Sequence, residues 1–253
     1  MPDTQDLNIR NGLEAALRIC EAPLGRSLID VGAGTTDHGV LFRQFYAEAF
    51  SNDLLEREDP FHITGDILTT DLGRKFDVVY ASNILEHQKN VGHFLERLID
   101  LCADDGHLVV IVPHQHLHKL LFGHLTSWTV GILVYNLVMA GIDCSEARLC
   151  RGRHEISIIV RNRKTEQIGD IARSAAVGLH WEADDLKKYF PFDFFQGCTA
   201  DMDSIGWPES YKLACKAPMK IHTMGDDIVD IKPGVPFEIP QAKAKEPWWY
   251  KAS

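Results

Sequence analysis

The residues best suited to chemistry stand at the ends of apolar runs. Ser27–Gly34 reads Ser-Leu-Ile-Asp-Val-Gly-Ala-Gly, a short buried strand (Leu28, Ile29, Val31) that closes on Gly32, Ala33 and Gly34 and carries Asp30 inside it. Asp37 follows where a helix cap belongs, ahead of Val40, Leu41 and Phe45. Strand, glycine turn and helix start form a corner in which backbone can approach a ligand closely and free N–H groups face it. Farther on, Ala47–Ser51 arrives at Asn52-Asp53, and Phe61–Thr64 leads to Gly65-Asp66. The near-continuous apolar run Phe76–Ala81 opens into Ser82-Asn83-Ile84-Leu85-Glu86-His87. An acid and an imidazole side by side in such a turn suit proton transfer. His114, His116 and His118, with His124 nearby, form a second imidazole group. They suit metal binding or proton transfer, but no carboxylate or cysteine is spaced to complete a metal site.

The elements that must position these residues alternate between two periods. Leu7–Cys20 carries Ile9, Leu13, Ala16 and Leu17 at helical spacing, which predicts an amphipathic helix ended by Pro23 and Gly25. Val91, Phe94, Leu95 and Leu98 mark another helix face, and Asp104-Asp105-Gly106 turns into a strand over His107–Val112 that Pro113 stops. Ser127–Ala140 is apolar at Val130, Leu133, Leu137 and Val138 and is closed by Gly141. Cys144–Leu149 and Glu155–Val160 read as two further strands, paired as an antiparallel hairpin. Strands alternating with helices imply βαβ units, so the expected fold is α/β, Rossmann-like and doubly wound, with a mostly parallel sheet and an antiparallel terminal strand. Beyond Lys164 the pattern changes. Helices are expected at Ile168–Val177 and Trp181–Phe190, then prolines, glycines and aromatics alternate up to Pro247-Trp248-Trp249-Tyr250. The chain therefore divides into a first unit over 1–163, with its N-terminal helix within 1–24, and an extension over 164–253 that packs on the core or on a partner subunit.

Composition bounds the partners. A net charge of −10 over 253 residues argues against nucleic acid held by bulk electrostatics. The local basic cluster Arg148, Arg151, Arg153, Arg161, Arg163 and Lys164 reads as a solvated strand edge. Six scattered cysteines without a Cys-x-x-Cys pair suit reduced thiols. The polar, acidic start Met-Pro-Asp-Thr-Gln-Asp is not a signal or transit peptide, and Val130–Ala140 is too short to span a bilayer, so a cytoplasmic location is expected.

Taken in order, Asp30-Val31-Gly32-Ala33-Gly34, Asp66, Phe76–His87 and Asp105–Pro113 resemble the class I S-adenosylmethionine-dependent methyltransferases. The resemblance is closest to the small-molecule branch with Leu-Glu-His after the fourth strand, and it covers residues 25–162. It implies S-adenosylmethionine as cofactor. Asp30 would then face the cationic methionine end beside Gly32, Ala33 and Gly34, and Asp53 would accept from the ribose hydroxyls. Asp66 would accept from the adenine amino group with Ile67 flanking the ring, and Ser82 and Asn83 would line the floor. His87 is the first candidate base and Glu86 the second. His114, His116 and Trp128 are candidates to line the acceptor. In some relatives an acid three residues before the Glu-His pair helps hold a metal. Asn83 stands there in this chain, so no metal is expected.

One position departs from the family pattern, since Thr36 replaces its third glycine. The residue three after Gly34 is Asp37, whose charge would repel a pyrophosphate, and this disfavours a dinucleotide fingerprint. The expected reaction is methyl transfer to an oxygen or nitrogen of a small molecule or sugar, with a homo-oligomer possible through the extension. Two alternatives stay open at this level: a non-catalytic cofactor-binding or scaffold protein of the same fold, and a nucleotide-dependent oxidoreductase.

Overall fold

Seven strands make the central sheet, and their order explains where a ligand can sit. The computed structural model describes residues 4–114, 121–152, 154–164, 184–195, 198, 199, 207, 210–223 and 227–239. The strands are β2 (Ser27–Val31), β3 (Glu48–Asp53), β4 (His62–Thr64), β5 (Phe76–Ser82), β6 (Cys102–Pro113), β7 (Arg148–Arg151) and β8 (Glu155–Arg161), in the order β4-β3-β2-β5-β6-β8-β7. The pairs from β4 through β6 are parallel, while β8 runs antiparallel to both β6 and β7. The order reverses between β2 and β5, and the crevice beyond the carboxyl ends of those two strands is where an open α/β sheet binds its ligand. The expected fold class and the antiparallel β7–β8 hairpin are both present.

Side-chain alternation divides the core into two layers. Val79 and Ala81 of β5 join Ile29, Leu108 and Val110 against α3 (Val91–Leu101) and α4 (Val130–Met139). Val78 and Tyr80 face the other way with Leu28 and Val109, against α1 (Leu13–Glu21) and α2 (His38–Phe42). Strands buried on both faces need continuous apolar runs, which is what β5 and β6 supply. The helices start where polar side chains satisfy free amides: Asn90 accepts from the His93 N–H at 3.1 Å, and Thr129 Oγ1 from Ile132 N–H at 3.2 Å.

Several expectations are corrected. Leu7 is not helical; it lies in β1 (Gln5–Asn8), which pairs in parallel with β12 (Met219–His222), so the helix starts only at Leu13. The strand expected at Cys144–Leu149 begins instead at Arg148, because Ala147 N–H closes a turn on the Cys144 carbonyl. The strand ending at Pro113 begins at Cys102, earlier than its apolar run indicates. Asp37 does stand at the N-cap position of α2, but its side chain makes no capping bond; its Oδ2 accepts from the Asn8 N–H at 2.7 Å and ties β1 to the helix start.

Beyond Lys164, a short helix covers Asp184–Lys187. The strands β9 (Phe194–Phe195) and β10 (Cys198–Thr199) pair, as do β11 (Ser210–Lys212) and β14 (Pro236–Glu238). β13 (Ile228–Ile231) completes a three-stranded sheet with β12 and β1. Tyr211, Met219 and Ile231 thus join the core on the α1 side. The helix expected at Ile168–Val177 and the aromatic end at Trp248–Tyr250 lie outside the described residues. β7 forms the sheet edge that carries Arg148 and Arg151. Among the described residues, no helix is long and apolar enough to cross a membrane.

Asn162 locks the far end of the sheet. Its buried amide donates to the carbonyls of Ile99, Cys102 and Ala103 at 3.1–3.2 Å. Asn162→Ala removes this shared donor from the three carbonyls and should lower unfolding free energy by about 1–3 kcal/mol. Urea denaturation checks this, and ligand affinity at the opposite end of the sheet should stay unchanged.

Candidate active site

The glycine loop is held from β3. Gly32 and Ala33 N–H both donate to the Asn52 carbonyl, at 2.9 and 3.0 Å, and Gly34 N–H donates to Asp53 Oδ2 at 2.8 Å. Asn52 is itself anchored, its amide donating to the carbonyls of Ile63 and Gly65 at 2.9 Å. Gly32 has φ +75°, and a Cβ there would fall 2.1 Å from Ile84 Cδ1. A Cβ on Gly34 would meet nothing within 4 Å, so the loop is open on that side. Thr36 has a role that glycine could not fill: its Oγ1 lies 3.0 Å from the Ala33 carbonyl and 2.7 Å from His38 Nδ1.

Behind the loop Asp30, marked by its motif, meets His38 and Tyr80, whose grouping around it has no local signal in the sequence. Asp30 is 1% exposed, and its Oδ2 accepts no hydrogen bond among the described residues. His38 Nδ1 is 4.0 Å from it, and His38 Nε2 is 3.2 Å from the Tyr80 hydroxyl. Burial pushes the Asp30 carboxyl up to about 7, against the pull of Arg57. Burial also lowers the His38 imidazole to about 4, so it is neutral at physiological pH. Arg57 holds its place by donating to the Thr36 carbonyl at 2.9 Å.

The floor is closed by a residue from the far side of the sheet. Glu155, at the start of β8, accepts from Gly12 N–H at 2.8 Å and from Asn83 Nδ2 at 2.9 Å. Gly12, with φ +70°, lies so close that a Cβ would meet the Tyr80 hydroxyl and Ser82 Oγ at 2.2 and 2.5 Å. Asn83 takes a left-handed φ of +51°. Burial raises Glu155 to about 7.

The structure brings Asp30, Gly32, Ala33, Gly34, Asp53, Ser82 and Asn83 to the carboxyl ends of β2, β3 and β5. Asp53 also accepts from Leu55 N–H through Oδ1 at 3.0 Å. Asp66 follows β4 on the surface, its Oδ1 accepting from Leu68 N–H at 3.0 Å, while the adjacent Ile67 is buried in the core. Glu86 and His87 form a short 3₁₀ turn after β5. Burial raises Glu86 to about 7, and His87 Nδ1 lies 2.9 Å from the Gly123 carbonyl. His114 ends β6's neighbourhood in a bridge with Trp128. Trp128 is 2% exposed and belongs to the core layer that contains α4. His116 lies outside the described residues. Sequence reasoning passed over Gly12, His38, Arg57, Tyr80 and Glu155, although the φ-permissive Gly12 just ahead of a helix was a signal open to it.

A family model described as a methyltransferase domain matches residues 5–156. The chain belongs to that methyltransferase family. The class I S-adenosylmethionine-dependent resemblance read from its motifs stands, and the oxidoreductase alternative gives way. Among solved structures, the chain is similar to the Burkholderia thailandensis 1,6-didemethyltoxoflavin-N1-methyltransferase, crystallised with 1,6-didemethyltoxoflavin and S-adenosylhomocysteine. The identity is 21% and the TM-score 0.50, over 61% of this chain and 78% of that one. It is also similar to a sugar N-methyltransferase from Streptoalloteichus, at 16% identity and TM-score 0.46 over 59% and 86% of the two chains. These likenesses concern the fold. Among curated proteins, none matches this chain.

Gly32→Ala tests the loop. The left-handed φ and the collision with Ile84 should lower the melting temperature by several degrees, equivalent to about 1–3 kcal/mol. A thermal melt of the variant beside wild type checks it.

Proposed function

We propose that this methyltransferase binds S-adenosylmethionine across the carboxyl ends of β2, β3 and β5 and transfers its methyl group to a nitrogen or oxygen of a small molecule or sugar. One observation carries the reading: Asp30, the open glycine loop and Asp53 stand together at the sheet's switch point. S-adenosylmethionine has a cationic sulfonium, an ammonium, a ribose diol and no phosphate. It needs an unneutralised carboxylate, close backbone approach and a diol acceptor.

These residues fit that ligand. Asp30 offers a buried Oδ2 that accepts no hydrogen bond from the described residues. Asp53 uses two of its roughly four lone-pair positions on Gly34 and Leu55, leaving two for ribose hydroxyls. Asp66 and Ile67 are assigned to the adenine, and Ser82 and Asn83 to the methionine end. The toxoflavin-precursor enzyme, with its acceptor and S-adenosylhomocysteine together, supplies the precedent for a small acceptor.

Methyl transfer asks little of side chains beyond in-line positioning, because the sulfonium is already a good leaving group. A protonated acceptor must lose its proton, and Glu86 and His87 border the acceptor side. With His87 Nδ1 donating to a carbonyl, its Nε2 lone pair is the position that can take that proton. Exposed Phe122 and Leu125 flank the same turn and favour an acceptor with an apolar face. The chemistry is assigned to residues 1–163 and a supporting role to 164–253. Transfer of a labelled methyl group from S-adenosylmethionine to a panel of amines, phenols and amino sugars tests the reading. Turnover on at least one acceptor supports it, and bound cofactor without turnover on any would return the scaffold alternative.

Asp30 also gives the site a pH signature. Its folded pKa near 7 lies above that of an unfolded carboxyl, so ligand-free protein loses the stability tied to it as pH rises from about 4 to 7. A cationic cofactor needs the ionised form, so affinity should rise about tenfold from pH 6 to pH 8. Glu86 and Glu155 titrate in the same window. Asp30→Asn isolates the effect and should flatten most of this rise in a calorimetric series.

A further inference from the structure

The turn after β5 and the loop passing over it gather three side chains that the cofactor reading leaves over. One carboxylate oxygen of Glu86 and one imidazole nitrogen each of His87 and His124 lie within 4.8 Å of one another. Glu86 is 1% exposed, and its Oε2 accepts no hydrogen bond among the described residues. Its Oε1 is 3.7 Å from His87 Nε2. A carboxylate kept from water without a hydrogen bond is costly unless a cation accompanies it.

The backbone prepares the imidazole for such a cation. A carbonyl only accepts, so the 2.9 Å contact from His87 Nδ1 to Gly123 places the proton on Nδ1 and leaves the Nε2 lone pair beside Glu86. Orienting a ligating imidazole by hydrogen-bonding its other nitrogen is how protein metal sites fix the tautomer. The loop is pinned in place, since Leu125 N–H donates to the Glu86 carbonyl at 2.6 Å. His124 then meets His87 edge-on, with ring centroids 5.0 Å apart at 90°.

We propose that Glu86, His87 and His124 form a binding site for a divalent transition-metal ion. Two imidazoles and one carboxylate suit zinc, manganese, iron or cobalt better than calcium or magnesium. Small side-chain rotations would bring the three ligand atoms to the separation of about 3.4 Å that bonds of about 2.1 Å require in a tetrahedron. The sequence argued against a metal because Asn83 replaces an acid. In the structure Asn83 is committed to Glu155, and His124 supplies the third ligand from the loop.

Three protein ligands leave positions for water or for the acceptor's own oxygen or nitrogen. The ion then takes the His87 lone pair and replaces its role, lowering the acceptor's pKa so that the proton leaves to solvent. That role rests on the methyltransferase reading; metal binding itself rests only on the geometry.

The test uses full-length, tag-free protein stripped with a chelator and titrated with cobalt(II), read by visible d–d absorption. Wild type should take up one equivalent at this site. His124→Ala and Glu86→Gln should each weaken uptake by at least about tenfold, with melting curves confirming that they fold. If His124→Ala fails to fold, the isosteric Glu86→Gln decides. No cobalt uptake by wild type, or uptake unchanged in the folded variants, overturns the proposal. Titration of the same wild-type sample with S-adenosylhomocysteine separates the two readings. Homocysteine-nucleoside binding without cobalt uptake overturns the metal site alone, whereas failure to bind it strikes the methyltransferase reading.

Discussion

Three consecutive amides, those of Gly32, Ala33 and Gly34, all point at the end of β3, and the candidate site depends on that bracing. Two share the Asn52 carbonyl, and the third goes to the Asp53 carboxylate. In a dinucleotide fold such amides would face a pyrophosphate. Here they are turned inward, and Asp37, which would repel phosphate, is turned away to hold Asn8. The loop is thus shaped as a wall along a ligand instead of an anion nest. That shape agrees with a cofactor that presents positive charge and hydroxyls.

The electrostatics follow from where the sheet ends. Asp30, Glu86 and Glu155 sit at the carboxyl ends of β2 and β5 and at the start of β8, and burial raises all three toward neutrality. Tyr80, His38 and Gly12 fill the space behind Asp30, with the Tyr80 hydroxyl donating to the Gly12 carbonyl at 2.9 Å. Little water is left to solvate an ionised carboxylate there, and the protein holds protons that a cation can displace. The cost of burying three acids is offset by the two-layer core on either side of the sheet.

Much of this could be read from the chain. The apolar runs at Leu28–Val31 and Phe76–Ala81 became central strands because runs buried on both faces have few other places to go. Asp30, Gly34, Asp53 and Asn83 converge because each lies at a strand's carboxyl end, and a parallel sheet puts those ends on one side. What escaped was long-range. Leu7 continued a helical spacing, yet it is a strand because Met219–His222 lies beside it. Glu155 sits at the start of an antiparallel strand, and only the β6–β8 pairing carries it to Gly12 and Asn83. Trp128, just ahead of α4, is buried in the core, and nothing in its local sequence signals that burial.

The central claim is that the loop braced on β3 binds a sulfonium-type cofactor, and calorimetric titration of wild type with S-adenosylhomocysteine tests it most directly. The account predicts saturable binding at one site per chain, weakened at least about tenfold by Asp53→Ala because the proposed diol acceptor and the Gly34 brace are lost together. No measurable heat with wild type, or equal affinity in wild type and Asp53→Ala, would contradict it.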